Sequence, residues 1–399
     1  MVTFISFALV ALALLLAVLV AVFFVEVVAA IALPQQDYSV PPSRESRRRV
    51  AVLVPAHNES TGLLPTLADI KAQIHAGDHL LVVADNCSDD TAALAAAVGA
   101  DVVNRNDPDR KGKGYALACG LRHLELDPPG IVIVVDADCR LADSAIDRLA
   151  ALCAMTHRPV QALYLMISSD ESPINSRVAE FAWRVKNWVR PLGLKALGLP
   201  CQLMGTGMAF PWDLICSTDL ASGSIVEDLK LGLDLALSGY PPIFCPSASV
   251  TSNFPSSVEG VQSQRLRWEQ GHIGMILSTA PSLILAAIVQ AKLDLLALAF
   301  DVTVMPLSLL GMLVVGMSVV AGLATLLGIS SAAMLVSTAS LAGLIGGVFL
   351  SWLAYGRDVL PPSSILLVFS YVFRKLPLYR NVITRKSRSQ WTRTDRGKT

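Results

Sequence analysis

The chain has 399 residues, of which 53% are hydrophobic and 16% charged, an apolar excess that an ordinary soluble domain does not carry. Its 32 basic and 32 acidic side chains cancel, and no basic stripe with interleaved aromatics runs through the polar part, so a nucleic-acid partner is excluded. The seven cysteines are odd in number and form no CxxC pair, which speaks against a zinc site or disulfide framework and for a reducing compartment.

The apolar excess lies at the two ends. Phe4 to Leu33 is broken only by Glu26, and roughly 20 helical residues already cross the hydrocarbon layer, so residues 1–33 are expected to anchor the chain. The run is too long, and too poor in basic residues at its start, for a cleaved signal peptide. Residues 34–49 form a basic linker with Arg44, Arg47, Arg48 and Arg49, a cluster that belongs on the cytoplasmic side.

Residues 50–272 read as an α/β domain. Val50 to Val54 is a β-branched strand ended by Pro55 and followed by a helix from Gly62 to Gln73. His79 to Ala84 is a second strand, Asp90 to Val98 a helix, Asp101 to Val103 a third strand, and Ile131 to Val135 the most apolar strand of all. Alternation of this kind predicts parallel pairing with right-handed crossovers. Ligands in such sheets bind past the carboxyl ends of the strands, where three polar clusters fall: Ala56-His57-Asn58-Glu59, Asp85 to Asp90, and Asp136-Ala137-Asp138.

Asp136 and Asp138 offer hard oxygen ligands for a divalent cation that would bridge diphosphate oxygens, or they form a turn. Asp85 stands where a carboxylate accepts a hydrogen bond from a base N–H, or it is ordinary turn chemistry. Lys111-Gly112-Lys113-Gly114 suits either phosphate contact or a solvated loop. Glu227 and Asp228 open a helix that ends at Gly239; they complement its dipole, or one of them is a general base. In Gln264-Arg265-Leu266-Arg267-Trp268, Arg267 has the forked donors for a diphosphate and Trp268 a flat face for a sugar ring. The alternative is an interfacial belt.

Beyond this point the chain is apolar again. Two spans are expected within residues 293–356, at Val302 to Leu327 and Ala332 to Tyr355, joined by a turn at Gly328-Ile329-Ser330. Residues 273–292 contain Ile273 to Val289, read as a helix lying in the interface. With one anchor and two spans, the basic tail 357–399, with its nine basic residues between Arg374 and Lys398, returns to the cytoplasm; a third span would export it.

In this order the clusters resemble the family 2 glycosyltransferases, which include cellulose, hyaluronan and poly-N-acetylglucosamine synthases and bacterial exopolysaccharide enzymes. The resemblance covers about residues 50 to 272 and rests on Pro55 to Glu59, Asp85, Asp136-Ala137-Asp138, Gly205-Thr206-Gly207, Glu227-Asp228 and Gln264 to Trp268. It implies a GT-A fold, a Rossmann-like and mostly parallel sheet, acting on a UDP-sugar with inversion to a β-linkage. It further implies Mg²⁺ or Mn²⁺ held chiefly by Asp138 with Asp136. Pro55, His57, Glu59, Asp85, Lys113, Asp136 and Arg267 would bind the donor. Gly205, Thr206, Gly207, Gln264 and Trp268 would face the acceptor, and Asp228, beside Glu227, would be the base. The tail also resembles that of exopolysaccharide enzymes, at Lys375 to Tyr379 and Trp391 to Thr394.

Large synthases of this family carry more membrane helices than are read here, so single-sugar addition to a saccharide or lipid-linked acceptor stands beside processive polymer synthesis. A polyprenyl phosphate or diacylglycerol acceptor is a further reading. The expected setting is the bacterial inner membrane, with the catalytic domain cytoplasmic, among membrane lipids and other polysaccharide-assembly membrane proteins. A transporter is the competing class, drawn from Asp294 and Asp301 in the apolar region.

Overall fold

A computed structural model describes residues 2–35, 47–168, 174–221, 226–254 and 258–364. Arg44 and the tail motifs from Lys375 onward lie outside the described residues, as does the side chain of Arg265. The chain divides into two units. One holds residues 47–168, 199–221, 226–254 and 258–271; the other holds 2–35, 174–198 and 272–364.

The first unit is built on eight strands: β1 Val50–Ala56, β2 His79–Asp85, β3 Asp101–Arg105, β4 Ile131–Val134, β5 Arg140–Leu141, β6 Val160–Ile167, β7 Met208–Pro211 and β8 Ile243–Asn253. They lie in the order β3-β2-β1-β4-β7-β6-β8-β5. The first four are parallel. β7 runs antiparallel to both β4 and β6, and β8 runs parallel to β6. Val50 to Val54 are fully buried, as a central strand covered on both faces requires. The helix Lys113–Leu124 packs Ala116, Leu117 and Leu121 on Leu53, Leu81 and Val83.

Pro55 does not end β1, which continues to Ala56. The β4 pairing stops at Leu53↔Val134 while that with β2 continues, so the missing proline N–H falls where the β4 ladder has already finished. The expected helix Gly62–Gln73 is a 3₁₀ turn, Ser60–Leu63, leading into Leu64–Lys71 with Pro65 in its first turn, a position where proline costs no hydrogen bond. Of the linker arginines, Arg47 pairs with Asp78 and Asp147, and Arg49 with Asp127. These two are part of the folded sheet unit, not a loose basic tether.

Within the expected domain of residues 50–272, one stretch groups with the other unit. Ile174–Arg184, a π-helical turn Val185–Val189 and Arg190–Ala196 belong to the helical unit. Among the described residues of that unit, three helices are long and apolar enough to cross a membrane: Val2–Ala32, Leu307–Leu326 and Ser331–Tyr355. A bent pair, Leu266–Ser278 and Ala280–Val289 at 40°, makes a fourth only if it is one broken span. The expected start at Val302 moves to Leu307, because Leu293–Thr303 is a separate helix and Pro306 caps the next.

Arg190 ties the middle segment to the first and later helices of its unit. Its Nε donates to Glu26 Oε2 at 2.6 Å, and its Nη2 donates to the Asp301 carbonyl at 2.8 Å and to the Asp301 carboxylate. All three side chains are almost fully buried. Charges taken from water persist only when paired and hydrogen-bonded in this way. Asp301 is therefore spent on Arg190, which removes half of the support for a transporter. The same helix meets the first span backbone to backbone: a Cβ on Gly193 would lie 1.9 Å from the Glu26 carbonyl oxygen. Gly193→Ala must push the two helices apart. We expect a loss of at least about 1–3 kcal/mol, read as a lower midpoint of thermal unfolding in detergent; an unchanged midpoint overturns the contact.

Candidate active site

The parallel order β2-β1-β4 brings the three polar strand ends side by side. The first two are laced together. His57 Nδ1 meets the Asp85 carbonyl at 2.6 Å, the Ser88 N–H donates to Asn58 Oδ1 at 2.7 Å, and the Glu59 and Ser60 N–H groups both donate to Thr91 Oγ1 at 2.9 Å. His57 and Glu59 thus shape this corner through a ring nitrogen and a backbone amide. Asn58 and Asn86 adopt left-handed φ values of 53° and 51°, which asparagine tolerates where a strand turns sharply.

Asp85 is buried, ion-paired with Arg105 and hydrogen-bonded by Asn86 Nδ2 at 3.0 Å. Burial pushes its carboxyl above the ordinary value, and Arg105 pulls the other way. Arg105 was not singled out from the sequence. It ends β3, the strand next to β2, so the rule that finds strand-end ligands would have found it. Tyr115 lies under its guanidinium, 5.4 Å from ring centroid to carbon.

At the end of β4 the chain makes a tight turn, the Cys139 N–H donating to the Asp136 carbonyl at 3.2 Å. Ligand atoms of Asp136, Asp138 and Cys139 lie within 4.8 Å of one another. Two carboxylates at this spacing fit a hard divalent cation. Burial raises the Cys139 thiol well above its ordinary range, so the oxygen donors are the fitting ones.

Lys113, first residue of its helix, sits among the acids. It donates to the Asp136 carboxylate and to the Gly205 carbonyl. Burial pulls its ammonium down, but Asp136, Glu227 and Asp228 outweigh this and hold it above its ordinary value. Gly205, at φ 95°, leaves space that a side chain would fill: a Cβ there would lie 3.3 Å from Asp228 Oδ2 and 3.9 Å from Lys113 Nζ. Asp136, Lys113, Gly205 and Asp228 are thus one cluster, although they are far apart in the chain.

Glu227 is pushed up to about 7 by burial and by Asp228, against the pull of Lys113. The folded protein therefore keeps a proton that the unfolded chain releases above its ordinary value of 4.5. Stability from this group is present below that value and is lost as pH rises through about 7. Glu227→Gln should match the wild-type unfolding midpoint at about pH 5 and exceed it at about pH 8. Equal midpoints at both would show that Glu227 does not titrate there.

The remaining expected residues lie as follows in the same unit. Thr206 is fully buried beneath the Asp136 turn, so its hydroxyl cannot face an acceptor. Gly207 packs inward, where a Cβ would lie 2.7 Å from Ala162. Pro55 lies within β1. Gln264, Arg267 and Trp268 ride on the helix Val258–Ser278 at spacings of three and four, which puts them on one face; Gln264 is buried and the other two are half-buried. That helix meets the acidic helix through Gly271, where a Cβ would lie 2.6 Å from Val226, the residue before Glu227.

An eight-stranded mixed sheet whose parallel half ends in clustered carboxylates is the GT-A architecture of nucleotide-sugar glycosyltransferases. The sequence profile of Glycosyltransferase like family 2 matches residues 47–271, more than half of the chain, and the protein belongs to that family. Among solved structures it is similar to the mannosyltransferase PcManGT from Pyrobaculum calidifontis in complex with GDP-Man and Mn²⁺. That match has 17% identity and a TM-score of 0.52 over 95% of this chain and 100% of the other. It is also similar to glucosyl-3-phosphoglycerate synthase from Mycobacterium tuberculosis with Mn²⁺ and UDP, at 24% identity and a TM-score of 0.35 over 56% of this chain and 77% of the other. Mannosyl-3-phosphoglycerate synthase from Rubrobacter xylanophilus matches at 20% identity and a TM-score of 0.39, over 59% and 76%. Curated protein sequences give no match. The likeness to PcManGT supports the fold.

Proposed function

We propose that the protein is a metal-dependent inverting glycosyltransferase that moves a sugar from a UDP-sugar to a membrane-associated saccharide or lipid-linked acceptor, forming a β-linkage. The single observation that supports this most is the convergence of Asp136, Lys113 and Asp228 around Gly205. A divalent ion held by Asp138 and Asp136 would neutralise the departing diphosphate. Asp228 takes the proton from the acceptor hydroxyl as that oxygen bonds to the anomeric carbon and the bond to the diphosphate breaks on the opposite face. Lys113, kept charged by its three acidic neighbours, holds Asp136 toward the Gly205 turn and balances the carboxylates before the donor arrives. Asp85 accepts from the imide N–H of the base, and Arg267 and Trp268 serve the diphosphate and acceptor sides.

The three candidate spans support action at a membrane surface. The reading of a bacterial inner membrane with the catalytic unit in the cytoplasm rests on the basic residues flanking the spans, part of an exopolysaccharide or cell-surface glycan system. The three candidate spans among the described residues are few for a polymer channel, which favours single addition over processive synthesis. A GDP-sugar donor is the second reading, because the structure that matches over its whole length holds GDP-Man. The purified full chain in detergent, offered a panel of UDP-sugars and GDP-mannose with Mn²⁺ or with chelator, decides both points by nucleotide release. Metal-dependent release from a UDP-sugar is expected. Release from GDP-mannose alone overturns the uridine assignment, and release from neither overturns the transferase reading.

A further inference from the structure

We propose that Thr66 and Thr206 are positioning residues that clamp the Asp136–Cys139 turn from both sides and so set the geometry of its two carboxylates for a metal ion. The proposal rests on the reading of that turn as the metal site.

The two threonines come from opposite parts of the sheet unit. Thr66 is on the helix Leu64–Lys71, which follows β1, and Thr206 lies in the loop before β7. Both side chains are buried, at 1% and 0% exposure, and every polar group they offer is spent on the turn. Thr206 Oγ1 accepts the Asp136 N–H at 3.0 Å and gives its own hydrogen to Cys139 Sγ at 3.5 Å. Thr66 Oγ1 lies 2.8 Å from the Ala137 carbonyl and 2.7 Å from the Cys139 carbonyl, sharing one hydrogen between them. β4 ends at Val134 and the last ladder bond is Val135 N–H to the Leu53 carbonyl. Beyond it the backbone of the turn has three bonds to side-chain hydroxyls and one internal bond.

The turn needs such support. Its carboxylates repel each other, and Asp136 is drawn to Lys113 as well. A backbone free to relax would let the two acids separate. Buried hydroxyls are costly unless satisfied, and simple packing at either site is served equally well by valine, which has the same shape. Two hydroxyls directed at one four-residue turn from separate elements therefore point to control of the turn. Outer-shell partners of this kind orient metal ligands.

The test is Mn²⁺ binding to the purified full chain, followed by the loss of the free-ion signal in electron paramagnetic resonance, with unfolding midpoints measured alongside. Thr206→Val and Thr66→Val should each weaken Mn²⁺ binding roughly 10- to 100-fold, and Thr206→Ser and Thr66→Ser should stay within about threefold of wild type. Valine variants that bind as wild type does, or serine variants that lose as much as valine, overturn the clamp. If valine does not fold at a position, alanine takes its place in the same comparison; failure of both substitutions to fold at both positions assigns the hydroxyls to the fold and also overturns the proposal. Wild-type protein that binds no Mn²⁺ overturns the metal reading itself, and the clamp with it. Wild-type binding with unaffected variants overturns the clamp alone.

Discussion

Asp228→Asn should bind donor as the wild type does and lose transfer by a factor of about 10² to 10⁴, the usual contribution of a general base. The amide keeps the shape of the side chain and its place beside Gly205, where Asp228 Oδ2 stands 3.3 Å from the space a Cβ would take. It cannot accept the proton of the acceptor hydroxyl. Donor affinity by calorimetry and transfer by product formation separate the two effects. A second signature comes from the neighbour. Asp228 is one of the causes that raise Glu227 to about 7, so removing its charge lowers Glu227 toward the ordinary carboxylate range. Near-normal turnover in Asp228→Asn, with turnover lost in Glu227→Gln, would transfer the role of base to Glu227.

Asp138→Ala should abolish Mn²⁺-stimulated transfer. A metal bound at a departing phosphate supplies several kcal/mol of transition-state stabilisation, so the loss is at least about a hundredfold. Asp136→Ala is the contrasting variant. It removes a ligand and also releases Lys113, which keeps its bond to the Gly205 carbonyl. Metal titration should find both variants weakened, whereas only Asp136→Ala should change the balance of charge around Asp228. A wild-type response to Mn²⁺ in Asp138→Ala would remove that residue from the metal site.

The parallel half of the sheet was legible because its strands are continuous apolar runs and its candidate site residues lie at or shortly past their carboxyl ends. Asp85, Asp136 and Asp138 follow from that rule alone, and the rule reaches Arg105 at the end of β3. The antiparallel half is harder, since β7 has four residues and β5 two. Thr66 carries no local signal, and Thr206 is legible only as part of Gly205-Thr206-Gly207; the hydroxyl of each acts on a turn 71 or 70 residues away. The membrane segments were read from hydropathy, and Pro306 could have set the start of the second. Residues 174–198 were missed because the helix Ile174–Arg184 is rich in charge and its fellow carries Arg190. Only the folded chain shows that Glu26 and Asp301, 164 and 111 residues away, neutralise that arginine.

That pairing constrains how the enzyme can be made. Glu26 leaves the ribosome long before Arg190, and Arg190 long before Asp301, so the first span must wait through most of synthesis for the partners of its one acid. The family-matched stretch 47–271 looks like a natural fragment to express alone. It would carry Arg190 and the buried face of residues 174–198 without either carboxylate. A water-soluble catalytic unit therefore calls for replacing that excursion with a linker that spans the length of β6, so that excising the candidate spans does not leave a stranded cation behind.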